Sequence, residues 1–200
     1  MTYVLGLTGS IGMGKSTTAT MFAQEGIPVW DADAVVHRLY QPGGAAGRAL
    51  AAEFPQAVEN QTISRPALRA IIAADPSALA RVEELVHPLV AADRRQFLAA
   101  QTAQTAQIVL LDIPLLFETG AEADCDGTVV VTAPADTQRA RVLSRPGMST
   151  ADLDQILSRQ MPDAEKRARA TWVIETTTLD SARTAVQRII TEIRRKAAHA

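Results

Sequence analysis

A glycine-rich loop that ends in lysine and serine is the part of this 200-residue chain most indicative of chemistry. Residues 9–16 fit the pattern G-x-x-x-x-G-K-[ST] in full. Glycines let consecutive N–H groups turn towards phosphate oxygens, Lys15 can reach the β- and γ-phosphates, and Ser16 can ligate Mg²⁺. The loop therefore predicts a nucleoside triphosphate site with Mg²⁺. We assign to the nucleotide Gly9, Ser10, Ile11, Gly12, Met13, Gly14, Lys15, Ser16 and Thr17.

Two carboxylates follow predicted strands and suit the remaining chemistry of phosphoryl transfer. Asp33 comes just after a short apolar run, and a carboxylate there can accept the proton of an attacking hydroxyl. Asp112 ends a strongly apolar run, where a carboxylate of the Walker B type would assist Mg²⁺. Aspartate is also common in turns and at helix ends. A strand-end turn at Asp33 and a helix cap at Asp112 are therefore the structural alternatives.

Arginines after the fourth predicted strand could supply positive charge to the transferring group. Arg141 and Arg145 lie one helical turn apart and share a face, and Pro146-Gly147 indicates a hinge beside them. They could reach the phosphates as a lid closes, and Arg139 and Arg159 are nearby alternatives. The alternative is a solvated basic face. His87 by itself is more typical of a surface or capping histidine than of a functional one.

Strands and helices alternate along the chain and predict where these residues lie. Apolar runs predict five strands over residues 3–8, 27–30, 107–112, 128–132 and 172–175. This alternation predicts an α/β fold, a doubly wound parallel five-stranded sheet of the P-loop NTPase type. Ligands bind at the carboxyl edge of such sheets. Residues 9–16, 31–33 and 112–118 would fall on that edge.

Helical patterns fill the stretches between the predicted strands. We expect helices over residues 16–23, 34–40, 45–53, 65–73 and 134–144. A long helix opens at Asp75-Pro76, and Pro88 should kink or split it. Capping signals predict a helix after Ser149 and a last helix after Thr177. Residues 54–63 read as loop, so the stretch from 42 to 105 contains no predicted strand.

This organisation predicts a single kinase-like domain built from three regions. Residues 1–41 and 106–200 would form the nucleotide-binding core, about 42–105 a helical acceptor-binding lobe, and about 139–168 a small helical lid. The net charge of −2 gives no general attraction to nucleic acid or acidic membranes. No run approaches the roughly 18 apolar residues of a membrane span. We expect a cytoplasmic monomer or small homo-oligomer acting on small molecules.

Several motifs in this order resemble the dephospho-CoA kinases over nearly the whole chain. They are residues 7–16, Asp31-Ala32-Asp33, His87-Pro88 and the run Leu111-Asp112-Ile113-Pro114-Leu115-Leu116-Phe117-Glu118. Gln138, Arg141, Arg145 and Gln160 continue the likeness. The glycine loop is generic, whereas the other motifs are far more specific together.

The resemblance implies transfer of the ATP γ-phosphate, with Mg²⁺, to the ribose 3′-hydroxyl of dephospho-CoA. It implies that Asp33 is the general base and that Arg141 and Arg145 are lid contacts to phosphate, beside the roles that the loop and the strand end already assign to Lys15, Ser16 and Asp112. It also implies substrate-binding residues near the acceptor, namely Asp33, Arg65, His87, Leu115 and Leu116. The chain departs from the family pattern at Thr176, where an asparagine is usual, so base selectivity could be looser.

Two other functions share parts of this pattern. Another small-molecule, nucleoside or nucleotide kinase would have the same core without the Asp-Ala-Asp and His-Pro motifs. A nucleotide-binding switch belongs to a different class, and the Asn-Lys-x-Asp guanine motif of GTPases does not occur in this sequence. A degenerate, inactive fold is disfavoured by the intact Lys15, Ser16, Asp33 and Asp112.

Overall fold

The computed structural model describes residues 2–60 and 62–198. Strands in those ranges are β1 (Tyr3–Thr8), β2 (Val29–Asp31), β3 (Val58–Glu59), β4 (Thr62–Ile63), β5 (Ile108–Asp112), β6 (Gly127–Thr132) and β7 (Trp172–Glu175). The α-helices are α1 (Lys15–Gln24), α2 (Ala32–Leu39), α3 (Ala45–Glu53), α4 (Arg65–Ala74), α5 (Ser77–Ala103), α6 (Ala135–Leu143), α7 (Thr150–Leu157), α8 (Asp163–Arg169) and α9 (Leu179–Ala197). Short 3₁₀ turns cover Pro55–Ala57 and Ala121–Asp124.

Five strands form one parallel sheet in the order β2-β5-β1-β6-β7. Every residue of β5 and β6 is buried, which is why these strands read as continuous apolar runs rather than alternating ones. The register pairs Asp112 with Leu7 on one side and with Asp31 on the other. The predicted doubly wound parallel sheet is thus confirmed, and the carboxyl ends of β1, β2 and β5 meet at one edge.

The chain divides into two compact units. The sheet unit comprises described residues 2–31 and 100–198, and the helical unit comprises residues 32–99. In the sheet unit, α1 and α9 pack against the sheet through one apolar cluster. Its members include Leu5, Leu7, Phe22, Leu110, Val129, Val131, Ile174, Val186 and Ile189.

The helical unit has an apolar cluster of its own. It consists of Ala46, Leu50, Phe54, Ala57, Ile63, Leu68, Ala78, Val82 and Val86. The prediction of a strand-free loop over 54–63 is wrong, because β3 and β4 pair antiparallel there. A two-residue strand is too short to show a period in the sequence. Of the two predicted effects of Pro88, a kink or a split of the helix, the split does not occur, since α5 continues through that residue.

The structure differs from two further local expectations, at Asp33 and at the cap of α9, and agrees with a third, the capping box of α7. Asp33 is not in a strand-end loop but in the first turn of α2, because the chain enters that helix directly after β2. A carboxylate there is favoured by the helix dipole. Thr178, rather than Thr177, caps α9 through the N–H of Ser181. The capping box of α7 forms as predicted between Ser149 and Asp152.

None of the helices within residues 2–60 and 62–198 combines the length and the apolarity needed to cross a bilayer.

Candidate active site

The glycine loop connects β1 to α1 and leaves the start of that helix open. Gly14 stands at the N-cap with φ 88°, a left-handed conformation that favours glycine, and it offers no side-chain cap. The N–H groups of the first helical turn have no intrahelical acceptor. They point out of the helix end with its partial positive charge, which is a ready site for phosphate. Gly9 is needed for space, because a Cβ there would lie 2.3 Å from Cγ2 of Val131.

Side chains outside the loop bind its carbonyl groups. The Nε2 group of Gln138 donates to the carbonyl of Ile11 at 2.8 Å, and the hydroxyl of Thr176 donates to that of Met13 at 2.9 Å. The C=O and N–H of a trans peptide point in opposite directions. The N–H groups of Gly12 and Gly14 therefore face away from these two side chains, which is the orientation that an anion-binding loop requires.

Lys15 and Asp112 form an ion pair, with 2.5 Å between Nζ and Oδ1. Asp112 is 2 % exposed and comes from the carboxyl end of β5, whereas Lys15 starts α1. The structure thus brings together two residues that are far apart in sequence and that the motifs assign to phosphate and metal. Ser16 follows Lys15 in the first turn of α1 and supplies a hydroxyl, and Asp112 supplies a carboxylate. Both are hard oxygen donors of the kind Mg²⁺ takes beside phosphate and water, so the residues fit that ion.

The two predicted phosphate-contacting arginines have different surroundings. Arg141 donates from Nη1 to the hydroxyl of Thr176 at 3.0 Å and from Nη2 to its carbonyl at 2.6 Å. Arg145 is exposed at the end of α6. Both line a cavity of about 360 Å³ together with Gly12, Gly14 and Thr176. Arg141 is thus held at the wall of the loop cavity, and it is not part of a solvated basic face.

Thr176, the departure from the family pattern, is buried behind the glycine loop. Its hydroxyl lies 2.9 Å from the carbonyl of Met13 and 3.2 Å from that of Thr132, and it accepts from Arg141. A Cβ at Gly14 would lie 3.0 Å from this hydroxyl oxygen. The threonine therefore joins the ends of β6 and β7 to the loop.

The helical unit contains a separate cavity of about 370 Å³. Asp33, Tyr40, Arg65 and Arg69 supply its polar wall, and the rest is formed by Val36, Leu68, Ile72 and Val82. The guanidinium carbon of Arg65 lies 5.3 Å from the centre of the Tyr40 ring. Burial raises the pKa of Tyr40, against an opposing effect of Arg65, so Tyr40 stays a neutral phenol near neutral pH. A carboxylate, two guanidinium groups and an aromatic ring thus share one cavity.

The remaining predicted substrate residues do not share this cavity wall. His87 is an exposed residue of α5 in the helical unit. Leu115 and Leu116 belong to the sheet unit, where Leu115 is 39 % exposed and Leu116 is fully buried. A Cβ at Gly6 would lie 3.0 Å from Cδ2 of Leu116. The structure therefore gives Leu116 a packing role, and only Leu115 offers surface to a ligand.

In the polar wall of the helical unit's cavity, sequence reasoning missed Tyr40 and Arg69. Arg69 could have been found, because it follows Arg65 by four residues on the amphipathic helix α4 and so shares its face. Tyr40 follows the last residue of α2, and no spacing rule points from it to a cavity formed by other helices.

Comparison with known proteins identifies the family. The sequence model described as dephospho-CoA kinase matches residues 3–181. A protein of Cereibacter sphaeroides named dephospho-CoA kinase is 61% identical over 96% of this chain and 96% of its own. A crystal structure from Thermus thermophilus is 36% identical with a TM-score of 0.84, covering 96% of this chain and 97% of its own.

A second solved structure shares the fold at lower identity. A dephospho-CoA kinase from Campylobacter jejuni is 22% identical with a TM-score of 0.74, over 98% of this chain and 100% of its own. Both structures agree with the parallel sheet and flanking helices described above. The chain, an ATP-dependent kinase by this relationship, belongs to the dephospho-CoA kinase family.

Proposed function

We propose that this chain transfers the γ-phosphate of ATP to the ribose 3′-hydroxyl of dephospho-CoA, giving CoA and ADP. The observation that carries this proposal is the cavity in which Asp33 shares a wall with Arg65 and Arg69. It offers a proton acceptor and two cations to one ligand, as an anionic alcohol requires. Family membership and the glycine loop support the nucleotide half of the reaction.

In this proposal the loop and Lys15 hold the triphosphate. The N–H groups of Gly12, Gly14 and the first turn of α1 would donate to phosphate oxygens, and Lys15 would move from Asp112 to the phosphate charge. Ser16 and Asp112 would hold Mg²⁺, which when bound supplies neutralisation of the phosphate oxygens. Within the proposed lid, residues 139–168, Arg141 would stay a wall of the nucleotide cavity, and the exposed Arg145 would approach the transferring group as the lid closes between its anchored ends.

Asp33 would act on the acceptor. As the 3′-oxygen forms its bond to the γ-phosphorus, the bond from that phosphorus to the β–γ bridging oxygen breaks and ADP leaves. The proton of the hydroxyl passes to the Asp33 carboxylate and from there to water. Arg65 and Arg69 would bind the anionic part of the acceptor, with Tyr40 and the apolar wall beside its rings. His87 and Leu115 would contact more distant parts of it.

We further propose that the acceptor lobe is the helical unit, residues 32–99, and that the core is the sheet unit, described residues 2–31 and 100–198. These bounds replace the predicted ones of about 42–105 for the lobe and of 1–41 and 106–200 for the core. The partners are the two small substrates, without nucleic acid or membrane, for a monomer or small homo-oligomer in the cytoplasm. The modest net charge of −2 supports this choice of partners.

The direct test is the product. The purified protein is incubated with ATP, Mg²⁺ and dephospho-CoA, and mass spectrometry with fragmentation locates the added phosphoryl group. We expect it on the ribose 3′-oxygen. The same assay with nucleoside monophosphates, shikimate and gluconate tests the kinase alternative, and preferred phosphorylation of one of these would contradict the proposal. ATP hydrolysis unaffected by every acceptor would favour a nucleotide switch.

Replacement of Asp33 tests the proposed base. Asp33→Asn keeps the size of the side chain but removes its capacity to take a proton, so we expect kcat to fall about 10²–10⁴-fold. Binding of ATP, followed by calorimetric titration, should change little. Asp93→Asn, a change in the same unit, is the matched control, because Asp93 pairs with Arg38 away from the cavity wall. Loss of ATP affinity with turnover retained would mean that Asp33 is not the base.

A further inference from the structure

Ile11, the third residue of the glycine loop, has both of its backbone polar groups bound by glutamine side chains. Its N–H donates to Oε1 of Gln160 at 3.1 Å, and its carbonyl accepts from Nε2 of Gln138 at 2.8 Å. These contacts are far from local, since 149 and 127 residues separate the partners along the chain. Gln138 is only 8 % exposed, so its amide is committed to this contact rather than to water. None of the chemistry assigned above uses either glutamine.

The two glutamines lie on either side of one segment. Gln138 is in α6, and Gln160 follows α7 by three residues, so residues 139–159 connect them. Both roots of that segment have further anchors. Next to Gln138, α6 sits directly on the loop, because a Cβ at Gly12 would lie 2.6 Å from Cγ2 of Val142. Next to Gln160, the N–H of Met161 donates to Oε1 of Glu118 at 2.8 Å.

The segment between the glutamines carries Arg145, the arginine proposed to approach the transferring group. Arg145 must therefore be held at a fixed position relative to the loop that holds the phosphates. The hydrogen bonds between Ile11 and the two glutamines, one at each end of the segment, hold it there. The contacts also have a defined polarity, because Gln138 acts as a donor and Gln160 as an acceptor.

We propose that Gln138 and Gln160 are positioning residues, which clamp Ile11 from two sides and so fix the Arg145 segment to the phosphate loop. This inference rests on the proposed function and assigns it two more residues. The bond to Gln160 leaves the N–H groups of Gly12 and Gly14 to the nucleotide, so ground-state binding depends little on that bond. The transfer step does depend on it, because misplacing a group that stabilises the transition state by about 1 Å can cost on the order of 10²-fold in rate.

Substitutions of opposite polarity at the two positions test the clamp. A carboxylate accepts and cannot donate, whereas an ammonium group donates and cannot accept. We expect Gln160→Glu to keep a kcat at least ~10-fold higher than that of Gln160→Lys, and Gln138→Lys to exceed Gln138→Glu in the same way. The KM for ATP of the Gln160 variants should stay within about threefold of the wild-type value, because the nucleotide contacts are intact.

The crossed design separates the clamp from a general effect of charge. A pure charge effect near the triphosphate would make lysine better than glutamate at both positions, and this outcome would overturn the proposal. Equal kcat for the two Gln160 variants would also overturn it. Gln155→Glu and Gln155→Lys, at an exposed position of α7, are the matched controls and should leave kcat unchanged.

Folding and the assumed reaction are controlled separately. Thermal unfolding is recorded for each variant, and since Gln138 is buried, the two Gln160 variants decide the question if the Gln138 variants do not fold. If the wild-type protein phosphorylates dephospho-CoA but the variants do not show the crossed order of kcat, the clamp alone is refuted. Wild-type protein without that activity refutes the proposed function instead.

Discussion

At the scale of single residues, the ion pair between Lys15 and Asp112 is the most consequential contact. Asp112 lies at the end of an entirely buried strand, where a carboxylate is costly unless it is compensated. Lys15 provides a cation 2.5 Å away. When a triphosphate and Mg²⁺ bind, the phosphate charge can take the place of Asp112 beside Lys15, and Mg²⁺ can take the place of Lys15 beside Asp112. The ion pair thus keeps two groups of the proposed nucleotide site in contact with one another.

We expect Lys15→Ala to lower kcat by about 10²-fold or more, because the γ-phosphate loses its main cationic partner. Steady-state kinetics with ATP and dephospho-CoA measures the effect, and thermal unfolding shows whether the fold survives the loss of the cation beside Asp112. Lys196→Ala is the control, since the Lys196 side chain is largely exposed on α9. Turnover close to that of the wild type would remove Lys15 from the proposed machinery.

The residues of the glycine loop could be predicted because their function depends on a local pattern. Spacing alone gives the turn, the helix start and the position of Lys15. The contacts of Thr176 and Gln138 with the loop could not be predicted in this way. They join groups more than 100 residues apart, and only the strand order β1-β6-β7 brings them together.

At the scale of elements, α8 shows how a short helix is held in place. Lys166 is fully buried in it, and its Nζ lies 2.8 Å from Oε1 of Glu118. At the start of the helix, Asp163 accepts from the hydroxyl of Thr132 at 2.8 Å. At its end, Arg169 pairs with Glu122. These contacts join α8 to the segment that follows β5 and to the last residue of β6.

Lys166→Met should lower the free energy of unfolding by about 3–5 kcal/mol, because it leaves the half-buried Glu118 carboxylate without its cation. Urea unfolding at neutral pH measures this loss. Arg167→Met, the next position of the same helix, is the control, and its exposed, 3.9 Å contact with Asp163 should contribute less than about 1 kcal/mol. Equal losses for both variants would mean that the buried ion pair is not the anchor.

The same ion pair predicts a pH dependence. Desolvation raises the pKa of Glu118, but the hydrogen bonds from Lys166 and the Met161 N–H outweigh it, and the net pKa is below the ordinary value of 4.5. A lowered folded pKa gives stability that is present above the unfolded pKa and is lost as pH falls through the folded one. In Lys166→Met, the lysine no longer opposes the desolvation of Glu118. Acid should therefore lower the free energy of unfolding of that variant less than that of the wild type. The difference in unfolding free energy between wild type and Lys166→Met should therefore shrink below about pH 4.5. A difference that stays constant with pH would show that the ion pair does not set this pH dependence.

Elements with a strong hydrophobic pattern were predictable, and those without one were not. The sequence predicts β5 closely because burial makes it an uninterrupted apolar run, and it predicts α4 because burial of one face sets a helical periodicity. It does not predict α8, which has only seven residues and lies after Pro162 with a mostly charged composition. Asp33 illustrates the remaining error, since nothing local distinguishes a strand-end turn from a helix that starts at once.

At the scale of the whole molecule, the two units have separate apolar cores. The residues proposed to bind the nucleotide belong to the sheet unit, and the cavity with Asp33 belongs to the helical unit. Each half of the proposed reaction therefore relies on the packing of a different core. The sequence predicted a helical lobe, with bounds that differ from those of the observed unit, because a long stretch contains no predicted strand. It could not identify the second core, whose members come from elements far apart in the stretch.

Leu50→Ala tests the independence of the two cores. Leu50 is fully buried in the cluster of the helical unit, and its truncation should lower the stability of that unit by about 2–5 kcal/mol. We expect weaker binding of dephospho-CoA with little change in ADP affinity, both measured by calorimetric titration. Leu79→Ala is the control, because Leu79 is 46 % exposed on α5. An equal loss of ADP affinity would show that the units depend on one core.

The carbonyl groups of Ile11 and Met13, bound from behind by Gln138 and Thr176, have one more consequence. These hydrogen bonds fix the backbone of the loop before any nucleotide binds, so binding costs little conformational entropy of the backbone. Such preorganisation is the general route to tight binding from few contacts. It also means that a substitution of Gln138 or Thr176, which hold the loop carbonyl groups without facing the ligand, would weaken nucleotide affinity through entropy, unlike a substitution of Gln160.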